Sequence, residues 1–461
     1  MNFDEFLKIL GEFGSYQKRR YALICIMACY SVLSTLGIVF YGAEPEHHCK
    51  LPTSQVEHVT KLYGNVTRDE LLELFVPYTK EGKRSGCALY RFNLGSMNST
   101  VIALLKNSSL GGDTVDEIAS TMNYTLDNDP DIIWNLTLGE RTDAHPCPGQ
   151  REYSKDIYKS TVVSEFDLTC ENAWQLSTCN SVFFGGKLVA LLVAGVMSDR
   201  FGRRPVFLVS VILLAASGIS LAFAPNMAVF SVLYVIQGAS DASMYMTLYT
   251  MGMEFVGPSK RKITGLFMTV CFGLGHSLLA IEAYLLPNWR HLALVASSPG
   301  VICIFFWFFL SESVRWLLAR GRHEEAKKIV NKVAVVNKVK LEEATLERLF
   351  TEGDEEKKTS THTPIDLLRT WNRAKLTIII IICWLINDLC YYGLALHAQG
   401  LGGSIYLNFA LLGAADIPGH IVGMFILDKV GRRKILLVTL LPGGVACIVS
   451  GLLTKANTYS G

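Results

Sequence analysis

Charged side chains interrupt several long apolar runs of this sequence, and they are the residues best placed to do chemistry. The acids are Asp241, Glu282, Asp388 and Asp416, and Lys187 is the one lysine well inside such a run. A charge at the centre of a bilayer costs roughly 2.5–3.5 kcal/mol or more, so such residues pair with one another or serve a ligand. Because acids outnumber bases, the pattern favours a cationic or zwitterionic ligand.

Asp416, in the stretch ADIPG, is the leading candidate among these acids. It lies mid-run beside Pro418, whose missing N–H frees a backbone carbonyl near the carboxylate. Asp388, Asp241 and Glu282 would add negative potential. For each acid, the alternative is a satisfied hydrogen bond between helices that serves the fold alone.

Tyrosines could complete a cage around an alkylammonium group. Tyr245 and Tyr249 stand one helical turn apart, and Tyr391 and Tyr392 follow one another in a later run. Ring faces attract such cations by roughly 0.5–2 kcal/mol per contact. Ordinary packing is the alternative, and the stronger one for Tyr392.

A short polar signature occurs twice, as DRFGRRP at 199–205 and DKVGRRK at 428–434. The glycines permit tight turns, each aspartate can cap a helix or pair with a nearby arginine, and the arginines can contact anionic lipid headgroups or acids of another bundle. The repeat predicts two equivalent gating loops. Their candidate residues are Asp199, Gly202, Arg203, Arg204, Asp428, Gly431, Arg432 and Arg433.

Composition sets the class of protein. Half of the 461 residues are hydrophobic, 18% are charged and the mean hydropathy is +0.30, which indicates a membrane protein. A net charge of +2 gives no reason to expect a nucleic-acid partner. Nine runs have the length of about 20 residues that a bilayer requires; they are 21–42, 178–198, 206–224, 228–250, 264–286, 291–310, 376–396, 404–427 and 435–453. The predicted fold class is an all-α, multi-pass membrane protein.

Basic residues gather at alternate connections between these runs, which places the N-terminus in the cytoplasm by the positive-inside rule. The predicted regions are a cytoplasmic N-terminus (1–20), helix one (21–42), an extracellular loop (43–177), helices two to six (178–310), a cytoplasmic loop (311–375), helices seven to nine (376–453) and a short tail (454–461).

The loop 43–177 carries the marks of an extracellular segment. It holds all five N-glycosylation sequons, at Asn65, Asn98, Asn107, Asn123 and Asn135. It also holds four cysteines, Cys49, Cys87, Cys147 and Cys170, which allow two disulfides in three possible pairings. Cys179, just inside the second run, could join them as a fifth. The loop is also a potential surface for oligomer formation.

Enzyme motifs are missing from the sequence. There is no HExxH, no GxSxG, no P-loop and no paired CxxC, so we expect no catalysis, no cofactor and no metal site. A small organic ion and the lipid bilayer are the expected partners.

Seven stretches together resemble the organic cation and carnitine transporter family of the major facilitator superfamily. They are GEFGSYQKRR, EPEHHC, EFDLTCENAW, MEFVGPSKR, PNWRHLAL, SESVRWLL and AADIPGHIVG. The resemblance implies the major facilitator fold, alternating access at the plasma membrane, and a gating role for Glu254, Arg261, Glu312 and Arg315. Val314 departs from the family's usual proline.

Three functions follow from this resemblance. The leading one is a polyspecific transporter that takes up small organic cations or zwitterions, with Asp416, Tyr245, Tyr249, Tyr391 and Asp388 binding the substrate. An organic anion transporter of the same family is one alternative. The other is a non-transporting, truncated membrane glycoprotein, because the family has twelve helices and nine are present here; we expect the 461-residue chain alone not to transport.

Overall fold

A computed structural model of the chain describes residues 3–341, 367–396 and 403–460, apart from 55, 58–59, 61–66, 80–83 and 91–143. Side chains at 428, 432 and 453–460 are also outside the description. Within these limits, nine helices are long and apolar enough to cross a membrane, one for each predicted run.

The nine helices are labelled α1 to α9. Most of them extend past the predicted apolar run by several residues, because a helix continues into the polar interface beyond the hydrocarbon. Their bounds are α1 Ser15–Leu36 continued as Ile38–Tyr41, α2 Trp174–Phe201, α3 Arg203–Leu221, α4 Met227–Phe255, α5 Arg261–Leu285, α6 Trp289–Ser297 continued as Pro299–Ile304 and a 3₁₀ turn Phe305–Phe308, α7 Trp371–Leu396, α8 Ile405–Val430 and α9 Arg432–Ser460.

The chain divides into two compact units. The helical unit comprises Met1–Ala43, Tyr158–Leu168 and Ala173–Val445. In it, α4 packs along α2 and α3, while α5 packs along both α1 and α8. Helix α1 is buried over most of its length, whereas α7 and α8 expose most of their apolar side chains, as lipid-facing helices do.

Three shorter helices, Phe3–Ile9, Val314–Ala319 and His323–Asn337, pack together at one end of the helical unit. Their shared core contains Phe6, Leu317 and Val330, each fully buried. The last two are amphipathic, with apolar side chains in this core and most of their charged side chains exposed.

The loop unit comprises Glu44–Ile157, Thr169–Asn172 and Ala446–Gly461. Strand β1 (His47–Cys49) pairs antiparallel with β4 (Arg151–Tyr153), and β2 (Ala88–Leu89) pairs antiparallel with β3 (His145–Pro146). The helix Arg68–Phe75 begins with a capping box; a further helix, Val162–Phe166, belongs to the helical unit.

Two disulfides fix the loop unit, as predicted. Of the three open pairings, the structure has Cys49 with Cys147 and Cys87 with Cys170. Cys179 is a free, buried thiol inside α2. The predicted glycosylation sites Asn65, Asn98, Asn107, Asn123 and Asn135 lie outside the described residues.

Candidate functional site

Helices α5 and α8 approach each other closely at two glycines. A Cβ atom added at Gly413 would lie 2.3 Å from the Cβ of His276, and one added at Gly273 would lie 3.1 Å from the carbonyl oxygen of Gly413. No other residue type fits at Gly413 without displacing a helix. This approach brings Asp416, one turn further along α8, to the face of α5.

Three side chains from three helices meet beside this approach. The Tyr391 hydroxyl donates a hydrogen bond to Oδ2 of Asp416 at 3.1 Å and lies 3.2 Å from Nε2 of His276. The other imidazole nitrogen, Nδ1, is 3.3 Å from the carbonyl oxygen of Phe272. We call His276, Tyr391 and Asp416 the α5–α7–α8 cluster. His276 is 1% exposed.

Aromatic rings surround this cluster. Tyr392 packs perpendicular to Tyr391, with ring centroids 5.4 Å apart. Tyr245 packs edge-on against Phe272 at 6.1 Å, and Phe409 lies 5.2 Å from the His276 ring. A carboxylate beside several aromatic faces is the combination that recognises organic cations.

The structure brings together some of the predicted ligand-binding residues and leaves others apart. Asp416 and Tyr391 are hydrogen-bonded, and Tyr245 lies nearby through Phe272. Tyr249 is 39% exposed, and Asp388 is exposed on α7, where its electrostatic neighbour is Lys187 instead of Asp416.

His276 is not among the residues that the sequence pattern predicts for the site. A lone histidine in an apolar helix carries no periodic signal, since ordinary packing explains most such residues. The available clue was GLGH, where Gly273 and Gly275 lie three residues and one residue before the histidine and let α8 and α1 approach α5.

The expectation that Asp241 adds negative potential is wrong. Lys187 Nζ lies 2.9 Å from Asp241 Oδ2, and the acid is 1% exposed. Ser31 and Thr35 of α1 donate further hydrogen bonds to the two carboxylate oxygens, at 2.6 and 2.7 Å. Lys187 therefore pairs with one of the acids, as charged residues inside apolar runs often do, and the net charge of the pair is zero. Glu282 is half-buried on α5.

The first predicted gating loop is held by two acids from elsewhere in the helical unit. Arg203 pairs with Asp199 at 3.0 Å and with Glu254 at 3.1 Å. Glu312 accepts hydrogen bonds from the backbone N–H groups of Arg203 and Arg204, at 3.0 and 3.2 Å, and so caps the start of α3.

Gly202 and Gly431 share one backbone conformation, with φ/ψ of 103°/161° and 89°/146°. Both φ values lie in the region that favours glycine, so the sequence repeat is also a structural repeat. A Cβ at Gly202 would also lie 2.4 Å from the Glu312 carboxylate, whereas none of the described atoms lies within 4 Å of one at Gly431. The side chains of Asp428 and Arg432 lie outside the described residues, and Arg433 is exposed.

Arg261 connects the start of α5 to the N-terminal helix. Its guanidinium donates two hydrogen bonds to the carboxylate of Asp4, at 2.6 and 3.3 Å. The hydrogen bond from Arg261 lowers the pKa of Asp4 below its ordinary value, despite partial burial. Arg315 is exposed and adds a longer-range attraction to Asp4.

At the opposite end of the helical unit, Glu165 accepts hydrogen bonds from Arg290, at 3.1 Å, and from the indole N–H of Trp289, at 2.7 Å. Arg290 also donates to the carbonyls of Ala222 and Ala224 at the end of α3. Burial raises the pKa of Glu165, but the hydrogen bonds from Arg290 and Trp289 outweigh it, so the net pKa is lowered.

Comparison with known proteins identifies the family. The Sugar (and other) transporter family model matches residues 88–460. The chain is 30% identical to the human organic cation/carnitine transporter 2, covering 96% of this chain and 73% of the relative. It is 30% identical to an organic cation transporter protein of Drosophila melanogaster (98% and 75%) and 32% identical to solute carrier family 22 member 1 of Oryctolagus cuniculus (97% and 75%).

The chain belongs to the organic cation/carnitine transporter family of the major facilitator superfamily. The transporter is thus a multi-pass membrane protein of the major facilitator fold, and not an enzyme. Among solved structures, the proton:xylose symporter XylE bound to 6-bromo-6-deoxy-D-glucose matches with a TM-score of 0.47 and 19% identity, over 59% of this chain and 65% of that one.

Proposed function

We propose that the transporter takes up small organic cations or zwitterions across the plasma membrane by alternating access. The observation that carries the proposal is Asp416, a carboxylate between α5 and α7 with aromatic rings around it. In the described residues no lysine or arginine lies within ion-pair distance of Asp416. Its negative charge is therefore available to a ligand.

The neutral pair on α2 and α4 supports the same charge selectivity. Because Lys187 is bound to Asp241, its ammonium group is not available to an anion. The names of two of the relatives above, an organic cation transporter protein and an organic cation/carnitine transporter, agree with a substrate that carries a positive group.

Alternating access requires contacts that open and close at the membrane surface. We assign this role to the Arg203–Glu254 pair and the Glu312 cap, and by the repeat to the loop at 428–434. With this assignment the N-terminus faces the cytoplasm, and the loop 43–177, with its sequons, faces outward.

The test replaces Asp416 with asparagine, which keeps the size and removes the charge. In cells expressing the full coding sequence, Asp416→Asn should lower kcat/KM for tetraethylammonium at least about tenfold, equivalent to losing about 1.4 kcal/mol of attraction. The matched control is Glu324→Gln, at an exposed acid of the helix His323–Asn337 outside the membrane helices, for which we expect less than about a twofold change.

The comparison substrates are a neutral solute and para-aminohippurate, an organic anion. An equal loss for tetraethylammonium and the neutral solute would show that Asp416 serves the fold alone. Saturable uptake of para-aminohippurate without uptake of tetraethylammonium would replace the proposal with organic anion transport.

A further inference from the structure

His47 lies against the disulfide Cys87–Cys170 in the loop unit. Its ring nitrogen Nε2 and the two sulfur atoms lie within 4.8 Å of one another. Gly86 makes room for the ring, since a Cβ atom added there would lie 2.4 Å from Nε2. We call His47, Cys87 and Cys170 the His–disulfide cluster. Sequence motifs do not mark it, because its residues come from three distant positions and form no CxxC or HExxH pattern.

The hydrogen bonding of His47 fixes which ring nitrogen carries the hydrogen. Nδ1 lies 3.2 Å from the carbonyl oxygen of Pro45, which can only accept, so Nδ1 carries the hydrogen and donates it. The Glu44 carboxylate lies 3.7 Å from the same nitrogen. In the neutral ring, Nε2 therefore carries a lone pair, within 4.8 Å of each sulfur. A carbonyl or carboxylate on the far nitrogen is also the usual support of a metal-binding histidine.

The lone pair on Nε2 lacks a partner while the disulfide is intact. Nε2 is buried and accepts no hydrogen bond from the described residues, and a disulfide has no S–H to donate. Leaving a buried acceptor unpaired is destabilising. Breaking the S–S bond supplies the missing partner, either as a thiol S–H or as a metal ion held by thiolates.

The Cys87–Cys170 disulfide has the features of a reducible one. Cys87 is exposed, whereas Cys49 of the neighbouring disulfide is 1% exposed. Cys170 has a φ of 55°, a left-handed backbone conformation that residues other than glycine rarely adopt. Exposed or strained disulfides are the ones that thiols reduce readily. Cys87–Cys170 should therefore open before Cys49–Cys147, which keeps the loop unit cross-linked.

We propose that a small-molecule thiol reduces Cys87–Cys170 and that the two cysteine thiolates then bind Zn²⁺ together with His47. This site goes beyond the proposed function and does not depend on it. Two cysteines and one histidine, with a fourth position left to water, form an established type of zinc coordination. Zinc holds such ligand atoms roughly 3.5 Å apart, so small side-chain movements suffice once the S–S bond is broken.

The conversion takes two thiol–disulfide exchanges and one metal-binding step. A thiolate RS⁻ attacks the exposed Cys87 sulfur, forms the mixed disulfide RS–S–Cys87 and expels the Cys170 thiolate. A second RS⁻ releases the Cys87 thiolate as RSSR forms, so the small thiol is oxidised and the two cysteines are reduced. The cysteine thiolates take up protons from water, and Zn²⁺ displaces these two protons on binding. The ion with its ligands carries no net charge, and it links residues 87 and 170 again.

The first experiment needs no variant. Protein purified from the full coding sequence is treated with reduced glutathione, and the new thiols are alkylated and located by mass spectrometry. Cys87 and Cys170 should react before Cys49 and Cys147. After removal of glutathione, Co²⁺ is the spectroscopic probe. The reduced protein should bind about one ion with the absorption of tetrahedral thiolate coordination, which Zn²⁺ abolishes. The oxidised protein contains the same free cysteines in its membrane helices and should give no such absorption.

The second experiment tests the histidine. His47→Gln should lower the affinity of the reduced protein for Zn²⁺ at least about tenfold, because loss of an outer-shell partner alone costs about 10–100-fold. The matched control His145→Gln, at an exposed histidine of β3 in the same loop unit, should keep the wild-type affinity. Equal affinities of the two variants, earlier reduction of Cys49–Cys147, or no metal binding beyond that of the oxidised protein would each overturn the site. None of these results bears on the transport proposed above.

Discussion

Two groups of ionisable side chains in the described part of the membrane helices, the Lys187–Asp241 pair and the α5–α7–α8 cluster, are built differently. Lys187 and Asp241 both belong to the first six membrane helices, and Lys187 Nζ lies 2.9 Å from Asp241 Oδ2. Ser31 and Thr35 donate further hydrogen bonds to the Asp241 carboxylate. Every charge there has a partner. The α5–α7–α8 cluster connects α5, one of the first six membrane helices, to α7 and α8. Its acid, Asp416, has no basic partner among the described residues.

On the proposed function, the difference separates a structural charge, on Asp241, from a ligand-binding one, on Asp416. A paired charge in the bilayer contributes to one fixed arrangement, and its removal leaves the partner unpaired. A charge without a counter-ion is costly in the membrane, and in the proposed function it gains its partner when a cationic ligand binds. Burial alone does not distinguish them, since Asp241 is more deeply buried than Asp416.

The largest effect that we expect comes from breaking the neutral pair. Lys187→Met should lower the free energy of unfolding by about 3–5 kcal/mol, because it leaves the Asp241 carboxylate buried without its cation. The double variant Lys187→Met with Asp241→Asn should recover most of this loss. Thermal unfolding of the purified proteins in detergent measures both, and equal losses in the single and double variants would contradict the pairing.

A smaller effect should follow from separating α5 and α8. Gly413→Ala places a methyl group against His276 and should cost about 1–3 kcal/mol of stability through overpacking. It should also weaken tetraethylammonium binding, since it moves Asp416 away from His276. Gly423→Ala is the control on the same helix, because an added Cβ there meets no described atom within 4 Å. If both variants bind the cation equally well, the close approach does not position the cluster.

The smallest effect concerns Glu165, which is paired but half-exposed. Its pKa is lowered in the folded protein, so its contribution to stability is present above the ordinary value of 4.5 and is lost as the pH falls through the lower folded value. Glu165→Gln should therefore flatten the fall in stability below about pH 4.5. Unfolding temperatures across this range provide the measurement. An unchanged pH profile would show that Arg290 does not stabilise the charged form.

How much of the fold could be predicted from the sequence depends on whether the signal is local or depends on tertiary packing. Apolar length located all nine membrane helices, and the repeated glycines predicted the turns at Gly202 and Gly431, because both signals are local. The cysteines fixed the number of disulfides but left the pairing open, since it depends on the fold of a loop. The identity of the acid that pairs with Lys187 likewise depends on how α2 packs against α4.

The candidate functional site between α5, α7 and α8 was predicted in part. Asp416 and Tyr391 stood out by charge and residue type, and the structure places them together. His276 was missed, since a single histidine in an apolar helix has no pattern around it that marks a partner 115 positions away. Tyr249 was chosen by its spacing from Tyr245, but a turn of helix does not settle which direction a side chain faces.

The Lys187–Asp241 pair also constrains how the chain is made. Lys187 lies in α2 and its partner lies in α4, so during synthesis the lysine enters the membrane seconds before its acid exists, at about 5–20 residues per second. In lipid, the hydroxyls of Ser31 and Thr35 can donate hydrogen bonds to carbonyl oxygens of their own helix. The ammonium group of Lys187 keeps its charge and therefore remains costly there until Asp241 is present. Helix α2 should therefore stay with the insertion machinery until α4 emerges, and the two helices should enter the lipid as one unit.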